Sequence, residues 1–166
     1  MDQEFEELIG VDSARAFNFF STSLREALGT KRLNVDQMLY VASVLAHYSQ
    51  TSRFDTESMP FTTELVGVLE YYMFQQPTVN SEILEIGGSQ VLLFAGFFRD
   101  QMRRRHNVEW YDQIGQSLYD RASRFTTDRR KQKLFDGLAE SFPAWALVCS
   151  DMSRRLRENR FVINVD

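Results

Sequence analysis

Two histidines and a single cysteine are the side chains best suited to ligating a metal or attacking a substrate. A di-iron site in a helical bundle requires two Glu-x-x-His pairs, and neither His47 nor His106 has a glutamate three positions earlier. His47 could ligate a haem iron in an apolar pocket, but a single helical histidine beside a tyrosine is typical of a hydrogen-bonded residue at the edge of a core. The sequence therefore predicts neither a metal site nor a cofactor.

The cysteine, Cys149, would act as a nucleophile only with a base beside it. Its predicted helical face also carries Trp145 and Met152, which favours a small, buried and unreactive hydrophobic residue. The carboxylates of Glu82 and Glu85 have helical spacing, but a solvated helix face shows the same pattern. No catalytic residue is predicted.

The glycines do not form a phosphate-binding loop. Gly-Thr-Lys at 29–31 lacks the upstream glycine and the following Ser or Thr of a P-loop. Gly-Gly at 87–88 lacks the third glycine of a dinucleotide-binding fingerprint. Because no reaction class emerges from these residues, the sequence favours a protein that is not an enzyme.

The elements that must position these residues are helices. Apolar residues recur at spacings of three and four along most of the chain, and alternation with period two is scarce. The sequence predicts an all-α fold, a single domain over 1–166 of about six to seven helices, with 1–11 and 160–166 as tails. The predicted helices cover 13–28, 34–50, a stretch from beyond Pro60 to 76, a stretch from 80 through 98, a stretch from Asn107, a stretch from 126 or 127 to 137–140, and a last one opened by Ser141-Phe142-Pro143. The polar segment 51–61 is expected to be the longest loop.

The stretch Val91–Phe98 contains no polar side chain, whereas the next eight residues contain four arginines. A helix without a polar face belongs in the centre of a bundle. We therefore expect a central helix here, with a joint at Gly87-Gly88 and with close helix crossings at Gly96 and Gly115. The predicted structural core consists of Phe94, Gly96, Phe97, Phe98, Trp110, Gly115 and Trp145.

The apolar stretch is too short to cross a membrane. The longest uncharged apolar window, 86–98, has 13 residues, whereas a helix needs about 20 to span a bilayer. The first ten residues carry no basic leader followed by an apolar run, and one cysteine cannot form an internal disulfide. We therefore expect no membrane span and a cytoplasmic protein.

Charge is unevenly distributed along the chain. Residues 1–98 contain 5 Lys and Arg against 13 Asp and Glu, and residues 99–166 contain 14 against 10. Such a chain can pair head to tail with a copy of itself or present its basic half to an anionic partner, and interleaving of the halves within one fold is a third explanation. The candidate partner-binding residues of the basic half are Arg103, Arg104, Arg105, Arg129 and Arg130.

Residues 99–133 hold ten Lys and Arg against five acids, which is compatible with a nucleic-acid surface. Residues 103–105 advance by about 100° each, so a row of phosphates would touch only some of these arginines. The best candidate for a helix-turn-helix is the pair 13–28 and 34–50, whose second helix contains no Lys or Arg. Nucleic-acid binding is therefore an alternative rather than the leading hypothesis.

The C-terminal segment 160–166 is rich in β-branched residues and is expected to form one strand or a short extended tail. Its candidate partner-binding residues, Phe161, Val162 and Ile163, could pair with the edge of a partner or pack on their own bundle. The whole chain has 14 phenylalanines, six tyrosines and two tryptophans, an aromatic surplus that requires a thick core or a partner.

Three parts of the sequence carry a resemblance to known proteins: YVASVLAHYSQTSRF at 40–54, IGGSQVLLFAGFFRD at 86–100, and the row Tyr111, Gly115, Tyr119. They resemble a group of bacterial, all-helical proteins of unassigned function whose central helix reads roughly Gly-Asp-x-x-Leu-Phe-x-x-Gly-Phe-Phe. The match covers about residues 35–125. It departs from the pattern at Ser89, where an acid is expected, and at Arg99, where proline often follows the paired phenylalanines. The resemblance implies a helical fold and a bacterial source, and it implies no activity.

Taken together, these patterns favour a non-catalytic interaction or regulatory protein that presents helical surface to a protein partner, with self-association as a homodimer. One alternative is a nucleic-acid-associated factor that uses the basic residues at 99–133. Another is a helical bundle that binds a small molecule in a cavity lined by phenylalanine and methionine.

Overall fold

Helices form every element of the part of the chain that the computed structural model describes, which comprises residues 13–51 and 80–163. The all-α prediction is confirmed for these residues. The backbone contacts divide the chain into two compact units, Met1–Met59 and Pro60–Asp166. Each unit is described by itself below, and the single domain over 1–166 stays a prediction.

In residues 13–51, the described part of the first unit, two helices pack against each other: α1 (Ser13–Leu28) and α2 (Val35–Thr51). Gly29 ends α1 with a φ of 55°, a left-handed conformation that glycine adopts without strain. Asn34 begins α2 as expected, because its side chain accepts a hydrogen bond from the Gln37 amide at 3.1 Å. The two boundaries agree with the periodicity of the sequence.

The described part of the second unit, residues 80–163, consists of one long interrupted helix and two further helices. The interrupted helix comprises α3 (Ser81–Leu92), a π-helical segment (Leu93–Phe97, here the π segment) and α4 (Arg99–Arg103), and the others are α5 (Val108–Phe125) and α6 (Arg129–Ile163). Asparagine side chains cap α3 and α5, since Asn80 accepts from the Ile83 amide at 2.8 Å and Asn107 from the Trp110 amide at 3.4 Å. The interrupted helix packs on both α5 and α6, as predicted for a central apolar helix.

Two glycines lie where the sequence predicts close helix crossings. A Cβ atom built on Gly96 would lie 2.9 Å from the Cys149 Cβ, and one built on Gly115 would overlap the Phe142 ring. Any larger residue at either position would push α6 away from its neighbours. Trp145, also predicted in the core, is fully buried.

The remaining aromatic core predictions are wrong. Phe94, Phe97 and Phe98 are only half-buried, and Trp110 is 46% exposed. Spacing alone predicts that the apolar stretch is buried on every side, but the structure buries its aliphatic residues and leaves a phenylalanine face at its boundary. There the Phe98 ring contacts the other two, with 5.1 Å to Phe97 and 6.4 Å to Phe94 between ring centroids.

The interruption of the central helix is not where the sequence predicts it. The glycine pair at 87–88 continues α3 without a joint, and the departure from α geometry falls at the π segment instead. The Phe98 amide donates to the Leu93 carbonyl at 3.1 Å, a hydrogen bond that spans five residues instead of four. Gly88, the second glycine of the pair, lies against the Tyr119 ring. A Cβ atom built on Gly88 would lie 2.9 Å from that ring.

The C-terminal helix corrects two further predictions. The sequence predicts two helices with a break near Ser141, but α6 is a single helix of 35 residues with Pro143 inside it. It begins after Asp128, whose side chain accepts from the amides of Arg130 and Lys131, and not at Thr126 or Thr127. It also continues through Ile163, so Phe161, Val162 and Ile163 have helical backbone, and the extended tail is wrong for residues 160–163.

A side chain from α5 explains why Pro143 does not end the helix. Proline has no amide hydrogen, so the carbonyl four residues earlier loses its helical donor. That carbonyl belongs to Ala139, and it accepts a hydrogen bond from Gln116 Nε2 at 3.2 Å. Gln116 therefore supplies the donor that Pro143 lacks.

Several predictions fall outside the described residues. They are the tail at 1–11, the part of the long loop beyond Thr51, the helix from beyond Pro60 to 76, and residues 164–166.

The partnership of Gln116 and Pro143 can be tested by a double-mutant cycle. We expect Gln116→Ala to reduce the free energy of unfolding by about 1 kcal/mol, the typical value of one hydrogen bond. In a Pro143→Ala background the residue 143 amide can bond Ala139 instead, so the same substitution should cost less than half as much. Chemical denaturation measures both values, and Gln113→Ala, an exposed residue of α5, serves as control. Equal costs in the two backgrounds would contradict this explanation.

Candidate functional site

A buried ion pair joins the interrupted helix to α5. Arg99 and Asp112 are 5% and 6% exposed, and their side chains form two parallel hydrogen bonds of 3.0 Å each. This fork geometry is the strongest arrangement available to an arginine and a carboxylate. Removing one partner of such a pair leaves the other charge buried alone, which costs about 3–5 kcal/mol.

Arg99 is also bonded to the π segment. Its Nη1 atom donates to the Ala95 carbonyl at 2.9 Å in addition to the Asp112 carboxylate. The Nε atom of the same side chain is buried and has no hydrogen-bond partner among the residues that the structure describes. Since unsatisfied buried donors are uncommon and destabilising, the pair holds its position at some energetic cost.

A second ion cluster lies one residue further along the chain. Asp100 accepts hydrogen bonds from Arg154 Nε at 2.9 Å, Arg154 Nη2 at 2.7 Å and Arg157 Nη2 at 2.8 Å. These bonds, led by those from Arg154 and opposed by partial burial, hold the pKa of Asp100 well below its ordinary value of 3.8. The cluster fastens α4 to the last third of α6.

The arginines predicted to bind a partner are exposed but do not form one surface. Residues 103–105 lie at the end of α4 and in the turn before α5, whereas Arg129 and Arg130 lie at the start of α6, just after α5 ends. Eighteen residues of α-helix separate the two groups, a length of about 27 Å. The predicted basic surface over 99–133 is therefore two patches at opposite ends of α5.

The structure adds two arginines that the sequence analysis missed. Arg154 and Arg157 meet Asp100 at the end of the unit where Arg103 lies, one helical turn beyond Asp100. Their spacing of three residues, which places both on one helix face, was the only sign in the sequence. We call the exposed or half-exposed set Arg103, Arg104, Arg105, Arg154 and Arg157 the arginine end.

The residues first considered for chemistry lie apart from these clusters. Cys149 is fully buried, and burial raises the pKa of its thiol to about 12, in keeping with the predicted inert residue. His47 is exposed on α2, and its ring lies 5.3 Å from that of Tyr48. Within residues 13–51 and 80–163, no three His, Cys, Asp or Glu side chains come together as a metal site.

Comparison with family models, with curated proteins and with solved structures finds no match to this chain. The resemblance to bacterial all-helical proteins therefore stays a prediction. None of the helices in the described ranges combines the length and hydropathy needed to span a bilayer.

The Asp100 cluster predicts a specific dependence of stability on pH. Because the folded protein favours the charged carboxylate, its contribution is fully present above pH 3.8 and is lost as the pH falls below that value. We expect Asp100→Asn to lower the Tm at pH 7 and to reduce the fall in Tm between about pH 5 and pH 2. Thermal unfolding followed by circular dichroism measures both effects.

The matched control for this substitution is Asp136→Asn, which removes an exposed carboxylate on α6. It should leave the Tm within about 2 °C of the parent at pH 7, as surface substitutions usually do. A parent and an Asp100→Asn variant with parallel profiles below pH 5 would show that the cluster does not contribute to stability.

Proposed function

We propose that this protein is a non-catalytic interaction protein that associates with a second copy of itself through helical surface of its second unit. The observation that carries the proposal is Trp110, a tryptophan with 46% of its surface exposed on a short-looped helical hairpin. Tryptophan is strongly enriched among the residues that dominate binding energy at protein interfaces.

The local structure holds Trp110 in place for contact. Its ring lies edge-on against the buried Tyr111, with 5.1 Å between ring centroids and 79° between planes. The Trp110 amide is bonded to the Asn107 cap, which fixes the first turn of α5. An apolar side chain on a backbone that is already fixed loses less conformational entropy on binding, which suits the role of an anchor.

Other apolar side chains of the second unit are also exposed or half-buried. The half-buried Phe97 and Phe98 directly precede Arg99, whose partner Asp112 lies two residues after Trp110 on α5. Elsewhere in the second unit Ile86, Phe125 and Leu147 are 42% to 52% exposed. Exposed apolar area of this kind supports association more than it supports catalysis.

The charge distribution supports a second copy as the partner. Residues 1–98 carry 5 basic against 13 acidic side chains and residues 99–166 carry 14 against 10, so basic residues of one copy can attract acidic residues of another. The most common soluble assemblies are symmetric homodimers, in which one patch meets itself and one substitution removes two contacts. Binding of a small molecule in an apolar cavity stays a prediction.

The proposal is tested by measuring molar mass against concentration by light scattering. We expect the parent to form dimers and Trp110→Ala to weaken the dimer at least tenfold, because loss of an interface anchor costs about 2 kcal/mol or more. Gln113→Ala, which truncates a polar residue three positions away on the same exposed side of α5, should leave the mass curve unchanged. A parent that stays monomeric up to about 100 μM, a concentration at which contacts weaker than about 5.5 kcal/mol are not populated, would exclude self-association.

A second candidate function, nucleic-acid binding, is favoured by the arginine end. Three of its members, Arg103, Arg104 and Arg105, form no ion pair with any residue in the described ranges, and Arg154 and Arg157 share the carboxylate of Asp100. The excess positive charge at this end suits a phosphate backbone. The two patches at opposite ends of α5 argue against one continuous contact along 99–133.

Duplex DNA carrying a fluorescent label tests this second candidate by anisotropy at several salt concentrations. We expect a log–log salt slope that falls by about 2 in the double variant Arg104→Gln, Arg105→Gln, with each lost phosphate contact reducing it by about 0.9. The double variant Arg129→Gln, Arg130→Gln removes the same charge from the other patch and should keep the parent slope. Equal effects of the two double variants would show that DNA binding depends on net charge alone. The absence of DNA binding at low salt would exclude this function.

A further inference from the structure

The π segment changes the direction in which every later residue of the interrupted helix faces. Its hydrogen bond from the Phe98 amide to the Leu93 carbonyl encloses one residue more than an α-helical turn. Since one residue of α-helix corresponds to about 100° of rotation, Arg99 and Asp100 are set back by about that angle relative to α3. The orientation of α3 itself is fixed by the close contact of Gly88 with the Tyr119 ring.

A regular helix in the same place would bring the wrong residues to both ion clusters. With α3 held in position, each residue after the segment would move into the place now occupied by its successor. Phe98 would then face the buried Asp112 carboxylate, and Arg99 would face Arg154 and Arg157. The first contact leaves a buried charge without a partner, and the second brings three arginines together.

We propose that Arg99 and Asp100 set the register of the interrupted helix, so that the π segment is a one-residue insertion which the two ion clusters hold in the chain. Arg99 is selected by the carboxylate of Asp112 on α5, and Asp100 by the guanidinium groups of Arg154 and Arg157 on α6. Two adjacent residues of opposite charge thus form ion pairs with two different helices. A shift of one residue in either direction is unfavourable at both places.

The hydrogen bond from Arg99 to Ala95 adds a direct link between this pair and the segment. A widened turn displaces backbone carbonyls from their regular donors, and Arg99 Nη1 donates to one carbonyl within the segment at 2.9 Å. Arg99 is accordingly a positioning residue, since it acts on the backbone and on the neighbouring helix and not on a ligand.

The proposal predicts that the chain tolerates the loss of one residue inside the interrupted helix. Deleting Phe94, a half-buried residue near the start of the segment, should convert the segment to regular α-helix. Gly96 would stay against Cys149, and Arg99 and Asp100 would keep their partners, because the deletion removes the extra residue of the widened turn. We expect a cooperative transition with a Tm within about 6 °C of the parent, the loss attributable to one half-buried ring.

The matched control is deletion of Gln113, an exposed residue of α5 between Asp112 and Gly115. In a regular α-helix the deletion rotates one side against the other by about 100°, so that the contact with Arg99 and the contact with Phe142 cannot both be kept. We expect the chain lacking Gln113 either to unfold without a cooperative transition or to have a Tm lower than that of the parent by about 15 °C or more. Both deletions are made in the full chain and followed by circular dichroism and calorimetry.

A second measurement shows whether the ion pair survives in the shortened chain. Asp112→Asn should lower the Tm of the chain lacking Phe94 by the same amount as in the parent, within about 3 °C. The proposal is overturned if the Phe94 deletion unfolds the protein as the control does, if the control is tolerated equally well, or if Asp112→Asn has no effect in the shortened chain.

Discussion

A guanidinium and a carboxylate are kept out of water at the contact between the interrupted helix and α5, and they can remain there only while each faces the other. Arg99 and Asp112 satisfy this requirement with two bonds of 3.0 Å. This geometry fixes how far the interrupted helix is rotated about its axis at residue 99. It therefore also fixes the π segment that precedes this residue. The position of Asp100 beside α6 depends on the same rotation, so one buried contact orders three helices of the second unit.

The periodic parts of this structure could be predicted from sequence because their causes are local. Asn34, Asn80 and Asn107 each precede an apolar stripe and accept a hydrogen bond from an amide three residues later, as capping chemistry requires. Glycines in apolar rows predicted the close approaches at Gly96 and Gly115, since a missing side chain permits contact whatever the neighbour is. These features need no knowledge of the tertiary structure.

The wrong predictions have causes that are distant in the chain. Pro143 stays within a helix because Gln116, 27 positions earlier, donates to the Ala139 carbonyl. The π segment exists because of partners on α5 and α6, and its own five residues, Leu-Phe-Ala-Gly-Phe, are compatible with a regular helix. Similarly, Asp100 and Arg154 are 54 positions apart. Their contact, and with it the arginine end, could therefore be recognised only from the fold. Local pattern therefore predicts where helices begin more reliably than how they are rotated.

The close contact at Gly96 has a consequence for the single thiol of the protein. Cys149 lies directly beneath that glycine, fully buried, with a pKa raised to about 12. An alkylating reagent can reach its sulfur only when α6 separates from the π segment, and the reactive thiolate forms only in that opened state. The rate of alkylation consequently reports how often the native protein opens at this junction. The Cys149 sulfur serves as the probe, so none has to be introduced.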